Sequence, residues 1–344
     1  MAPDRKMRVM MSFKRRPNRG GNPYLDQLTQ VLSSSIQVFD FSWSRAARGS
    51  FDVLHVHWPE QIVRSRYPLV AAVKSILLFS FVRVLWLRKA VVQTVHNSTP
   101  HEVGTPIERW SLRALHESVD WFILLNNTSH APDAQRSGVI LHGDYAAWFG
   151  PVTAELEERD SIPGRLLFFG AVRPYKNLEG LIEAFAHLVP EKSDLSLLIA
   201  GQAVDPSYQE SVQHLAAAAG IETHFGFLSD RDLAQEIARS ELVVLPYSEF
   251  ENSGAALLSL TLGRPILVPA GPASEELAAE FGSEWVIRYD ALEPSTLTQA
   301  VSHRSQPQGF PDMSRRDWGE GARAHLAAYE RATAIRRKKR GSRV

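Results

Sequence analysis

The sequence predicts an α/β protein built from two Rossmann-like, doubly wound domains in tandem, facing a cleft. Three observations carry this expectation. The chain has 344 residues, room for two domains of about 150 each. Its composition, 44% hydrophobic and 22% charged, is globular and excludes a disordered, collagen-like or purely coiled-coil chain. Short apolar runs alternate with stretches of helical period in both halves, the pattern of parallel strands covered by helices on both faces.

In the first half, Met7–Phe13 is a strand, Tyr24–Ser33 a helix, Val53–His57 (VLHVH) a strand, 68–88 a helix and Ala90–His96 a strand. Glu108–Ser118 is then a helix, and Asp120–Leu125 and Gly138–His142 are strands. In the second half, Arg165–Gly170 is a strand. Asn177–Val189 follows as a helix, with Leu178, Leu181, Ile182, Phe185 and Leu188 at a 3.6-residue period. Leu195–Gly201, Thr223–Phe227, Leu242–Pro246 and Pro265–Val268 are further strands; Tyr208–Ala219, 231–239 and Ser253–Leu262 are helices. Residues 151–164, with Pro151, Pro163 and Gly164, read as a linker. The expected organisation is therefore a domain over 1–150, a second over 151–317, a helix over 318–335 and a basic tail over 336–344.

With no cysteine, disulfides, thiolate metal sites and cysteine nucleophiles are excluded. The 38 Lys+Arg balance the 38 Asp+Glu but not evenly. The first half is basic, the second acidic, and the tail Arg336-Arg-Lys-Lys-Arg340 basic again. The acidic second half argues against nucleic acid as a partner. The basic first half suits an anionic acceptor or membrane surface. Met1–Arg8 is charged and no apolar run with a cleavage site follows, so no secretory leader is expected. The apolar segment Pro68–Leu87 has the length of a membrane span. It carries Lys74 and Arg83, each costing roughly 2.5–3.5 kcal/mol at a bilayer centre. It is read as a buried or membrane-surface helix.

In doubly wound sheets, ligands bind beyond the carboxyl ends of the strands, so the chemistry belongs to the loops there. After strand 165–170 comes GAVRPYKN: Gly170 admits a close backbone approach, Arg173 can fork onto a phosphate, and Lys176 adds a point charge before a helix N-terminus. After strand 242–246, Asn252, Ser253 and Gly254 open a helix and form a second anion site, or an ordinary N-cap. In the first half, Gly20, Gly21 and Asn22 follow the first strand as an acceptor or phosphate loop, or simply a turn. His55, His57 and Glu60 lie in LHVHWPE; His96, His101 and Glu102 in TVHNSTPHE; His142 and Asp144 in LHGDY. These groups suit general acid–base work or sugar hydrogen bonding. No pair has helical H-x-x-x-H spacing, and no metal is expected. Asp230 and Asp232 spell D-x-D but follow Ser229 at a helix start, where capping explains them.

The run from Gly170 through Arg173, Lys176 and Asn177 resembles the donor loop of GT-B fold glycosyltransferases, as do LSLLIAG, LVVLP and Gly263-Arg-Pro265. The resemblance spans nearly the whole chain. Within that fold, HVHWPE, HNSTPHE, HGDY and NSGAALLSLTLGRP are similar to the bacterial exopolysaccharide (xanthan-type) mannosyltransferases and related family-4-like enzymes. Retaining members carry two glutamates eight apart before the Gly-x-Pro. Those positions here are Phe250 and Leu258, flanked by Glu249 and Glu251, so the stereochemical course stays open. The resemblance implies a nucleotide diphosphate sugar as donor substrate, GDP-mannose preferred. It implies no further cofactor, and a saccharide or lipid-linked saccharide acceptor on the first domain. Arg173, Lys176 and the Asn252–Gly254 helix start would hold the diphosphate without a metal. His96 and Glu102, then Glu60 and His57, would be candidate bases if the reaction inverts. A cytoplasmic enzyme, peripheral on the inner membrane face, is expected. A sugar-nucleotide epimerase of the same fold and an inactive sugar-binding protein are the alternatives.

Overall fold

The computed structural model describes residues 6–15, 23–96, 104–154, 161–188, 194–203, 205–302, 307 and 309–341. The chain forms two compact units, Met1–Gly143 with Arg316–Val344, and Asp144–Arg315.

The first unit runs β1 (Arg8–Met11), α1 (Pro23–Ser33), β2 (Gln37–Phe39), α2 (Trp43–Arg48), β3 (Val53–Val56), α3 (Glu60–Val63), α4 (Pro68–Ser80), β4 (Ala90–Val95), α5 (Pro106–Glu117), β5 (Trp121–Leu124) and β6 (Ser137–Val139), and is completed by the C-terminal helix Trp318–Gly341. Its strands form one sheet in the order β2-β1-β3-β4-β5-β6, and every pairing is parallel. Side chains alternate between two cores. Val9 and Met11 join Leu28, Leu32, Ile123, Trp318 and Tyr329 on one face. Met10, Leu54 and Val56 join Leu78, Phe81 and Trp86 on the other. α4 continues through a π-helical turn, Phe81–Leu85, and Trp86 then anchors it, its Nε1 donating to the Ala46 carbonyl at 3.0 Å. A capping box starts α5: Glu108 N donates to Thr105 Oγ1 at 3.3 Å, and Thr105 N to Glu108 Oε2 at 2.9 Å.

The second unit runs α6 (Ala146–Ala154), β7 (Arg165–Phe169), α7 (Leu178–Ala186), β8 (Ser196–Gly201), α8 (Pro206–Ala218), β9 (Glu222–Phe225), α9 (Asp230–Arg239), β10 (Leu242–Val244), α10 (Gly254–Thr261), β11 (Ile266–Pro269), α11 (Pro272–Phe281), β12 (Val286–Tyr289) and α12 (Pro294–Ser302). The sheet order is β12-β11-β10-β7-β8-β9, again with parallel pairings throughout. Strand order reverses between β10 and β7 here, and between β1 and β3 in the first unit. Those are the topological switch points at which doubly wound sheets take ligands.

The structure redraws the domain limits. The units divide after Gly143, not after residue 150, and the C-terminal helix belongs with the first unit. Part of the expected 151–164 linker is helix, because α6 extends to Ala154 and holds Pro151 inside it. The final helix does not stop at 335 but runs to Gly341. Its extension is held by Asp120, buried at the edge of β5: Arg336 Nε donates to Asp120 Oδ2 at 2.8 Å and Lys339 Nζ to Oδ1 at 3.0 Å. Two charges of the expected free tail are thereby tied into the fold.

Candidate active site

The second unit's switch point is lined by the two loops expected to take a diphosphate. The 170–177 loop leaves β7 beside the end of β8. Gly170 N donates to the Ala200 carbonyl at 3.1 Å, and Val172 N to that of Gln202 at 3.0 Å. A Cβ on Gly201 would stand 1.8 Å from the Gly170 carbonyl oxygen, whereas one on Gly170 would meet nothing within 4 Å. Gly201 thus permits the two loops to run side by side, while Gly170, at φ 127°, faces open space. Sequence reasoning named Gly170 and passed over Gly201, although a glycine closing LSLLIAG at a strand end was the available signal.

The 246–254 loop closes on the first. Ser248 N donates to the Tyr175 carbonyl at 2.9 Å, and Ser248 Oγ donates to the same oxygen at 3.1 Å. Lys176 Nζ lies 3.2 Å from the centroid of the Tyr247 ring and 5.0 Å from that of Tyr175. Desolvation, with Arg173 nearby, lowers the Lys176 ammonium to about 7. The ring face offers a partner to the cation without neutralising it. The contact offsets part of that desolvation cost, and an arriving anion would restore the charge. Tyr247 was not anticipated, because a tyrosine after a strand carries no signal of its own. Arg173 starts the 3-10 turn Pro174–Lys176 in extended backbone. Ser253 caps α10, accepting from Ala256 N at 3.2 Å, and Asn252 precedes it. Gly254 leaves room for the Tyr145 hydroxyl, which would stand 2.9 Å from a Cβ there. Leu258 is buried in α10, and Phe250 packs 6.0 Å from Tyr247, ring to ring. Both sites of the missing glutamates therefore serve the hydrophobic core.

The first unit's switch point is built from histidines. Ser12 ties β1 to β3, its N donating to the His55 carbonyl at 2.9 Å and its Oγ accepting from His57 N at 3.0 Å. His57 Nδ1 is 3.0 Å from His96 Nε2, so one ring donates to the other. His96 stacks on Trp58 with ring centroids 4.1 Å apart. His142 donates from Nδ1 to the Gly143 carbonyl at 2.8 Å, which fixes its tautomer. Tyr24 joins the rings of His57, His96 and His142. Burial holds all of these imidazoles neutral: His96 falls to about 3 and His142 to about 4, while His57 and His55 lie well below the ordinary range. The same burial disfavours the imidazolium, so a ring here takes up a proton only where a nearby negative charge, such as a bound anion, stabilises it.

Two members of this cluster come from the far end of the chain. Tyr329 hydroxyl lies 2.8 Å from His55 Nδ1, and Thr94 Oγ1 2.8 Å from His55 Nε2. His325, one turn before Tyr329, donates to the Gly321 carbonyl at 2.7 Å and is lowered by burial to about 4. Their spacing of four on one helix was legible; their destination was not. His55 is therefore a doubly bonded core residue. Glu60 opens α3 and is half-buried. Asp144 accepts from Ala146 N at 2.8 Å, capping α6, and falls in the second unit while His142 falls in the first. Gly20, Gly21, Asn22, His101 and Glu102 lie outside the described residues. In the D-x-D pair, Asp230 accepts from Trp148 Nε1 at 2.8 Å, and Asp232 N donates to the capping Ser229 at 3.1 Å.

Comparison with known proteins gives the family and the fold. Residues 157–301 match the family described as glycosyl transferases group 1. The chain is 35% identical over 329 residues to the GDP-mannose:glycolipid 4-beta-D-mannosyltransferase of Xanthomonas campestris pv. campestris, covering 94% of this chain and 92% of that one. Among solved structures, Anabaena HepE in complex with UDP and glucose superposes with a TM-score of 0.60 at 15% identity, over 98% and 99% of the two chains. The E. coli trehalose-6-phosphate structure bound with UDP-2-fluoro glucose gives 0.58 at 9% identity, over 97% and 98%. The fold is that of the GT-B glycosyltransferases. The chain belongs to the group 1 glycosyltransferases and is a glycosyltransferase.

Proposed function

We propose that this enzyme transfers mannose from GDP-mannose to a hydroxyl of a glycolipid, forming a β-linkage with inversion and without a divalent metal. The observation that carries the donor half is the joining of the two loops at the β7/β10 switch point, with Lys176 held on Tyr247 and Arg173 beside it. The identity over nearly the whole chain to an enzyme named for GDP-mannose, a glycolipid acceptor and a β-product supports the rest.

In this reading the donor diphosphate sits against Arg173, Lys176 and the Asn252–Gly254 start of α10. Cations and a helix N-terminus stabilise the charge that grows on the leaving phosphate. Gly170 allows the backbone to approach it. The mannosyl C1–O bond to the diphosphate breaks as the acceptor oxygen bonds to C1 from the opposite side. The acceptor proton passes to a neutral base in the first unit. The His57–His96 pair is one candidate, each ring orienting the other, with the negative charge of the bound diphosphate raising its proton affinity against the burial; Glu102 and Glu60 are the others. GDP leaves as the second product, and the imidazolium releases its proton to water. His142 and the loop at Gly20, Gly21 and Asn22 would bind the acceptor sugar.

The test is transfer itself. Purified enzyme is offered GDP-mannose, UDP-glucose or ADP-glucose with a panel of glycolipids that differ in their terminal sugar, with magnesium or EDTA, and the product's anomeric coupling is read by NMR. A β-mannosylated lipid formed from GDP-mannose in EDTA is the expected result. An α-linked product would overturn inversion, and activity only with magnesium would overturn the metal-free course. Conversion of the nucleotide sugar without an acceptor would point to an epimerase.

A further inference from the structure

The outward face of α4 has no partner in the fold. Its inner face is packed, with Ala71, Ser75 and Leu78 buried and the following turn adding Phe81 and Val82. The opposite face carries Leu69, Val73, Ile76, Leu77, Val84 and Leu87 at helical spacing. Leu69 is 83% exposed, Val84 64% and Val73 56%. Exposed apolar residues are ordinary when single; a stripe of six along one helix and its π-helical extension, interrupted only by Ser80, marks a contact surface. Trp110, exposed on the neighbouring α5, widens the stripe, its ring stacked on Phe79 at 3.6 Å between centroids.

The rim of this stripe is mostly basic. Arg66, Arg83 and Arg88 are exposed along α4 and its ends, and Arg109 and Arg113 on α5. Residues 61–100 contain no Asp or Glu. Arg83 meets Glu117 at 2.6 Å, the one acid among the described residues ion-paired to this rim.

We propose that this face docks the enzyme onto an anionic bilayer, with α4 lying in the plane of the headgroups. The aliphatic stripe reaches the acyl boundary while the flanking arginines take lipid phosphates, whose geometry a guanidinium fork matches. Among the described residues no helix is long and apolar enough to cross a membrane, so α4 lies on the bilayer. The stripe starts at the catalytic end of the sheet. α4 follows β3 and α3 directly, and Lys74 Nζ holds the Arg64 carbonyl at 3.1 Å. A bilayer under Leu69 therefore presents lipid-linked sugars near the strand ends that carry His57 and His96. That last consequence rests on the glycolipid acceptor proposed above; the docking itself does not.

Vesicle flotation of the whole enzyme tests it, with phosphatidylcholine alone against phosphatidylcholine mixed with phosphatidylglycerol. The variants are V73E/I76E on the stripe and R109E/R113E on the rim, all at exposed positions and checked by thermal melting. The expected result is flotation with the mixed vesicles, and about tenfold or greater loss of partitioning in each variant. Failure of the wild-type protein to float would overturn docking. Equal flotation of V73E/I76E would overturn this face. A wild-type dimer in sedimentation that V73E/I76E dissociates would assign the stripe to a second copy of the chain. Transfer to a detergent-dispersed acceptor is measured in parallel. Its loss in wild type, with flotation kept, defeats the proposed activity and leaves the docking standing.

Discussion

The two switch points share one architecture and differ in the chemistry placed on it. In the first unit the strand ends gather neutral imidazoles with Tyr24, Trp58 and Tyr329, all desolvated. In the second they gather glycines, Arg173, Lys176 and a capped helix start. In the proposed reading, the first arrangement takes the acceptor hydroxyl and its proton and the second takes the diphosphate. The difference runs against net charge, since the half with the cationic loops is the acidic one. Acidic residues spread over helix surfaces act weakly through water, whereas two cations beside a helix N-terminus act at contact range. Local placement, not domain charge, decides what each site holds.

Removing the proposed proton acceptor separates the two sites most sharply. His57→Ala or His96→Ala is expected to lower kcat by about 10²–10⁴-fold with little change in GDP binding, read by transfer kinetics and calorimetry. If both variants keep kcat, the base lies elsewhere in the first unit. On the other side, Arg173→Ala is expected to lower kcat/KM for the donor by about 10²–10³-fold while the histidine cluster stays intact. Unchanged donor kinetics would break the assignment of the 170–177 loop.

Acid should expose the first unit specifically. His142 and His325 titrate near 4 and His96 near 3 in the fold, against about 6.5 unfolded. A depressed histidine favours the neutral form, so its contribution is present above pH 6.5 and is lost as pH falls towards 4 and below. Each such group weakens the fold by on the order of 3 kcal/mol at pH 4. Melting followed from pH 7 to 4 should fall steeply, and His325→Gln should flatten the curve. The smallest effect concerns Lys176. It titrates near 7 in the free enzyme and is fully charged under a diphosphate, so donor binding takes up a proton. GDP affinity should weaken by up to about tenfold per pH unit above 7, and Lys176→Arg should remove that slope.

Much of this was legible in the chain. β3, β4, β7 and β8 fall within one residue of their expected limits at the start and within about one at the end, because buried parallel strands are continuous apolar runs between turn residues. The 170–177 loop could be proposed as a donor loop because its glycine, cations and helix start are neighbours in sequence. The last four residues of α6, 151–154, were read as linker because Pro151 signals a break, yet a proline removes only one backbone donor and the helix continues through it. β12 and α12 were not recognised: β12 is a short edge strand with only partial burial, and its pattern is weak.

The alternation of strands and helices and the doubly wound fold were written in the chain, because each rests on local periodicity; the candidate donor loops were named there from adjacent chemistry. Only the tertiary structure decided that the C-terminal helix returns to the first unit, bringing Tyr329 to His55 across 274 positions and Arg336 to Asp120. It also decided that Lys176 lies on Tyr247. These contacts join segments with no local signal of each other, and they exist because a buried imidazole, carboxylate or ammonium must find a partner wherever the folded chain supplies one.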